Sequence, residues 1–144
     1  MKYVRDILAT KGPEVACVCA DQSVLSAAQL MNDRRIGAVA VTRGNSVVGI
    51  FTERDILTRV VARESSPSST KVGDVMTSPC VVCSSSDEID QCQAIITEKR
   101  IRHLPVVDEG RLVGLISIGD IMASQKIELE TAVQSLSEYI YGAP

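Results

Sequence analysis

The chain has 144 residues, 45% of them hydrophobic and only 3% aromatic, and a formal net charge of −3. Such a length suits one compact domain or two very small ones, with a core of Val, Ile, Leu and Ala. Negative charge and scarce aromatics exclude a nucleic-acid binder that works by phosphate neutralisation or base stacking.

No window approaches the ~18 apolar residues of a membrane helix. The opening MKYVRDILATKG also lacks the apolar run of a signal peptide. The expectation is a soluble, cytoplasmic protein without membrane or nucleic-acid partners. Cys17, Cys19, Cys80, Cys83 and Cys92 form an odd set, which suits free thiols in a reducing compartment.

In chain order, a short helix (VRDIL, from Val4) comes first, then a β segment over Val15–Val18. An amphipathic helix follows, with Val24, Ala27, Ala28 and Met31 on one face. AVAVT turns through RGNS into VVGIF, a strand pair with turn chemistry between its halves. Both strands are apolar on both faces, so the sheet is expected to be covered on both sides. A helix over Thr52–Ala62 ends this unit, and the polar stretch ESSPSST reads as a flexible linker.

The same order then returns. A shift of 65 puts Arg35-Ile36 on Arg100-Ile101, Val48-Gly49 on Val113-Gly114 and Asp55-Ile56 on Asp120-Ile121. Upstream the shift is 68, with Val4–Leu8 falling on Val72–Met76, so the first copy carries three extra residues around Thr10–Pro13. The second copy is read as a helix at VGDVM, a β segment over Val81–Cys83, and a helix bearing Ile89, Cys92, Ile95 and Ile96. LPVVD then turns through EGR into LVGLI, and a helix runs over Ser117–Met122. The domain reading is 1–64, a linker at 65–71, 72–124, and a C-terminal helix at 125–144. Neither unit buries its own sheet alone, so two are expected to pack face to face about a pseudo-twofold axis. The tail presents Leu129, Val133, Leu136 and Ile140 at spacings of four, three and four. That seam either folds back on its own module or meets another chain.

Thr52 and Asp55 fit an [ST]-x-x-[DE] capping box, as do Ser117 and Asp120. The same helix starts also favour anions, and their carboxylates suit sugar hydroxyls. Both readings can hold together, because a carboxylate has two oxygens. His103, the single histidine, lacks a Ser/His/Asp or Cys/His grouping, so it is not read as a catalytic base. Cys80-x-x-Cys83 and Cys17-x-Cys19 are loosely spaced and fall at inequivalent repeat positions, and no metal ligand is assigned. Cys17 and Cys83 are expected to be buried as small hydrophobes.

The phrases GIFTERD and GLISIGD, each following a strand pair, with RIRHLPVVDEGRLVGLIS spanning the second, resemble the CBS domain. Two tandem copies would make a Bateman module covering about Tyr3–Ser124. The resemblance implies an α/β (α+β) fold of two β-α-β-β-α repeats with pseudo-twofold symmetry. It implies a non-enzymatic regulatory module that binds an adenosine nucleotide (AMP above all, with ADP and ATP in the same class) and requires no cofactor. It also implies a homodimer acting through an effector protein. Alternatives are a ligand-free structural or dimerisation module, or a binder of a nicotinamide dinucleotide or S-adenosylmethionine.

Carried over residue by residue, the resemblance implies two unequal clefts. In the first, Thr52, Arg54 and Asp55 would hold ribose and phosphate, with adenine near Ile36, Gly37 and Ala38 and phosphate partners Arg102 and His103. The second would use Ser117 and Asp120, with Arg34 and Arg35 nearby. Charge favours the first, so the Asp120 cleft is expected to be the weaker one.

Overall fold

The computed structural model describes residues 1–142. Its elements are α1 (Val4–Lys11), β1 (Cys17–Cys19), α2 (Val24–Arg34), β2 (Ala38–Arg43), β3 (Ser46–Thr52) and α3 (Glu53–Asp55), which continues as a π-helical run over Ile56–Val61. The second half holds α4 (Val72–Val75), α5 (Ile89–Lys99), β4 (His103–Asp108), β5 (Arg111–Ser117) and α6 (Ile118–Tyr141).

Each half is built on an antiparallel hairpin, β2–β3 and β4–β5. The duplication extends to irregularities: the ladders slip between Val41 and Thr42 and again between Val106 and Val107, 65 positions on. Both amphipathic helices end on an arginine in the left-handed region, Arg35 and Arg100, each at φ 54°. Glycine is the usual occupant of such a helix end.

One strand differs from the reading. Val18 pairs with Val41 within β1, but its counterpart Cys83 makes only an isolated parallel bridge to Val106. The first sheet therefore has three strands, β1-β2-β3, and the second has two.

The opening helices are exchanged between halves. Val72 and Val75 of α4 pack in the core of the first half with Val24, Val39 and Phe51. Val4 and Ile7 of α1 pack in the second with Ile89, Leu104 and Ile116. Backbone contacts repeat the exchange, with Tyr3 bridging Glu88 and Lys71 bridging Ser23. Each half thus completes the other's core, which ~60-residue units could not fill alone.

The stretch read as a flexible linker is tied down. The Val24 and Leu25 amides, which have no partner inside α2, donate to the Thr70 and Pro67 carbonyls at 2.8 and 3.0 Å. The expected C-terminal helix is present and is continuous with the helix that follows β5: α6 runs unbroken for 24 residues from Ile118. Every residue from 126 to 142 is exposed, with Glu128 touching the Met1 amino group at 3.2 Å. Positions 143 and 144, included in the tail reading, lie outside the described residues.

Candidate functional site

Both duplicated phrases form the capping box read from them. Thr52 Oγ1 accepts from the Asp55 amide at 3.3 Å, and Asp55 Oδ2 accepts from the Thr52 amide at 3.0 Å. Ser117 Oγ and Asp120 Oδ2 make the matching contacts at 3.1 and 2.9 Å. The carboxylates then diverge.

Asp55 is buried, and both its oxygens are engaged. Thr77 Oγ1 donates to Oδ1 at 3.0 Å, Thr52 Oγ1 donates to Oδ2 at 3.3 Å, and Arg59 Nε lies 3.7 Å from Oδ1. Thr77 is in place because the chain leaving α4 runs along β3, where Ile50 and Thr77 exchange backbone hydrogen bonds at 3.0 and 2.8 Å. Ser78 Oγ extends that edge to the Val48 carbonyl at 2.8 Å. Gly49 permits the approach, since a Cβ there would sit 2.7 Å from the Thr77 carbonyl oxygen.

At Asp120 the covering segment is missing. α1 is eight residues long against four for α4, so the three-residue surplus is spent on continuing the helix to Lys11. Among the described residues no backbone hydrogen bond joins residues 9–15 to β5. A cleft of about 620 Å³ opens instead, lined by Ser117, Asp120, His103, Ile36, Gly37 and Ala38, with Lys11, Arg34 and Arg35 among its cations. Lys11 Nζ donates to Asp120 Oδ2 at 2.8 Å and to the Leu115 carbonyl at 2.7 Å. Asp120 Oδ1 accepts no hydrogen bond from any described residue.

The structure groups these residues differently from the expectation. His103, Ile36, Gly37 and Ala38 were grouped with Asp55, but they line the Asp120 cleft. Thr52, Arg54, Asp55 and Arg102 line neither that cleft nor the neighbouring cavity of about 390 Å³ beside Met31, Arg35, Glu53 and Ile56. Charge alone does not say which opening segment covers which carboxylate. Lys11, absent from the expected residues, also lines this cleft, and the slip in register around Thr10–Pro13 was the available signal.

Burial holds the His103 pKa below its ordinary 6.5, aided by the charges of Arg102 and Lys11, while Asp120 and Glu53 pull the other way. The imidazole is therefore neutral at pH 7. The cleft then carries Lys11, Arg34 and Arg35 against Asp120 and Glu14, a net positive charge that suits a phosphate.

Cys17 is exposed rather than buried, because only Val18 of β1 points into the core, whereas Cys83 is buried as expected. Burial raises the pKa of Cys83 and Cys92, which makes their thiols inert at neutral pH. Among the described residues no group of three or more His, Cys, Asp or Glu could hold a metal ion, and no helix is long and apolar enough to cross a membrane.

Comparison with known proteins decides the family. The CBS domain model matches twice, at residues 4–62 and 72–126. The chain belongs to the CBS domain family. As a CBS domain pair it is a regulatory module of a kind that is generally non-catalytic. It is 30% identical to the mitochondrial CBS domain-containing protein CBSX3 of Arabidopsis thaliana, over 96% of this chain and 72% of that one. Its fold matches the crystal structure of the CBS domain NE2398 with a TM-score of 0.81 and 37% identity, covering 86% of this chain and 97% of that one. It also matches the CBS domain protein PAE2072 from Pyrobaculum aerophilum, solved in complex with AMP, with a TM-score of 0.77 and 27% identity over 91% and 98%.

Proposed function

We propose that the Asp120 cleft binds an adenosine nucleotide, AMP foremost, and that the chain is a non-enzymatic sensor reporting through a partner protein. The observation that carries this is the contrast between the carboxylates: Asp120 lines an open cleft with Oδ1 unused, while both oxygens of Asp55 are engaged. In this reading Asp120 and Ser117 hold the ribose hydroxyls. Adenine lies against Ile36, Gly37, Ala38 and Ala16, and Lys11, Arg34 and Arg35 hold the phosphate. Arginine suits the last role because its planar fork meets phosphate oxygens in pairs. The AMP complex of a relative with the same fold supports the ligand class. A ligand shifts conformation only by its differential affinity for two states. The contact such a ligand would compete with is the Lys11–Asp120 pair, which ties α1 to α6. The chain is further read as a cytoplasmic homodimer.

A thermal-shift panel of AMP, ADP, ATP, NADH and S-adenosylmethionine tests the reading. A ligand at ~100 times its Kd adds about 2.7 kcal/mol of stability. AMP, ADP or ATP should raise the melting temperature, and cationic S-adenosylmethionine should not. A shift with S-adenosylmethionine alone would overturn the ligand class.

A further inference from the structure

Apart from Glu128, whose carboxylate meets the Met1 amino group at 3.2 Å, the distal part of α6 makes no hydrogen bond or ion pair outside its own helix among the described residues. All residues from 126 to 142 are exposed, yet the helix continues to Tyr141. A helix of about 15 residues is marginal in water without tertiary support. Along it runs a heptad seam with d positions Met122, Leu129 and Leu136 and a positions Lys126, Val133 and Ile140. The five apolar members are between 59% and 66% exposed. The seam begins on the body of the module, where Met122 and its repeat counterpart Leu57 are each 61% exposed.

We infer that this seam is covered by the same seam of a second copy, the two helices running antiparallel. Three features favour a second copy in that orientation. An antiparallel register centred on Thr131 sets Leu129 against Val133 of the partner and Met122 against Ile140 of the partner. The face is therefore self-complementary, as a twofold interface requires. A parallel pair would set the Lys126 ammonium groups against each other, whereas the antiparallel pair offsets each to the level of Leu136 of the partner. A single lysine at an a position is a known determinant of register. Lastly, the five apolar side chains at roughly 100 Å² each, with the flanking Tyr139, bring the face to about 600 Å² per copy, near the lower bound for a specific interface. The inference rests on the homodimer reading and names the surface that carries it.

Sedimentation of the full chain tests it, with Leu129→Glu/Leu136→Glu against the off-seam control Thr131→Glu/Gln134→Glu. The wild type and the control should sediment as dimers. The seam variant should be a monomer, with its nucleotide-induced thermal shift intact. A seam variant that remains a dimer overturns the surface while leaving the dimer reading standing; a monomeric wild type overturns both. Orientation is read from cysteine crosslinks mapped by peptide mass spectrometry. Lys126→Cys/Leu136→Cys should link position 126 of one copy to position 136 of the other, and Leu136→Cys alone should give no 136–136 link. A 136–136 link contradicts the antiparallel arrangement.

Discussion

Lys11 and Asp120 stand 109 positions apart in the chain and 2.8 Å apart in space. The contact exists because α1 leaves the first repeat, packs in the second core and runs one turn longer than α4. As a part-exposed ion pair it contributes ~0–1 kcal/mol to folding. Lys11→Met is therefore expected to move the melting temperature little. Its effect should show in the ligand: AMP weakened several-fold, adenosine changed less than twofold, and the difference shrinking at high salt. Calorimetry at two ionic strengths checks this.

Arg35 and Arg100 hold the same left-handed conformation at equivalent helix ends, a geometry that costs a non-glycine residue roughly 1–2 kcal/mol. Arg35→Gly and Arg100→Gly should each relieve part of that cost, raising or preserving stability by up to ~1 kcal/mol in denaturant unfolding. Only Arg35 lines the Asp120 cleft. Arg35→Gly should therefore weaken AMP about tenfold, and Arg100→Gly should leave it unchanged.

The repeat, both hairpins and the two capping boxes were legible because they follow from local periodicity and turn chemistry. Val41 and Val106 fall on equivalent ladder positions, as the 65-residue shift requires. What was not legible depends on contacts far along the chain. The exchange of α1 and α4 between cores leaves no local signature: VRDIL reads the same whichever sheet it covers. The fate of Asp55 turned on Thr77, 22 residues away. The continuity of α6 was readable, since no proline interrupts residues 118–141; the division followed the internal repeat, whose second copy ends near Met122.

Gly49 tests whether the segment covering Asp55 is rigid. A Cβ at this position meets the Met76 sulfur at 2.6 Å and the Thr77 carbonyl oxygen at 2.7 Å, and the second of these is backbone. Gly49→Ala must push the 76–78 segment off β3. It is expected to destabilise by ~1–3 kcal/mol, read from urea midpoints. Gly114→Ala meets only the flexible end of Leu8 and should cost less.

Asp108 and His103 both contribute to the pH dependence, as does Asp6, whose pKa is lowered by the Tyr3 and Lys2 amides. Hydrogen bonds from the Ser85 hydroxyl and amide, then from Ser84, lower the Asp108 pKa below 3.8. A depressed carboxylate stabilises the fold above that pH and loses the contribution as pH falls below it, so Asp108→Asn should flatten the acid limb of the stability curve. For His103, depressed below 6.5, the unfolded chain binds more protons than the folded one below pH 6.5. Stability should therefore fall as pH drops through that window. A phosphate bound in the same cleft favours the imidazolium, while the nucleotide's own phosphate titrates at about pH 6. The His103 share of the proton linkage should therefore appear as a difference between wild type and His103→Gln in calorimetry across buffers of different ionisation enthalpy, with less proton uptake in the variant.

Nucleotide titration by calorimetry on the wild type, Asp120→Ala and Asp55→Asn bears most directly on the open-cleft account. The expected result is one site per chain, weakened ~10–100-fold by Asp120→Ala, since a hydrogen bond to a charged group is worth ~1.5–3 kcal/mol, and retained in Asp55→Asn. Two equal sites per chain, or binding lost with Asp55→Asn and kept in Asp120→Ala, would contradict it.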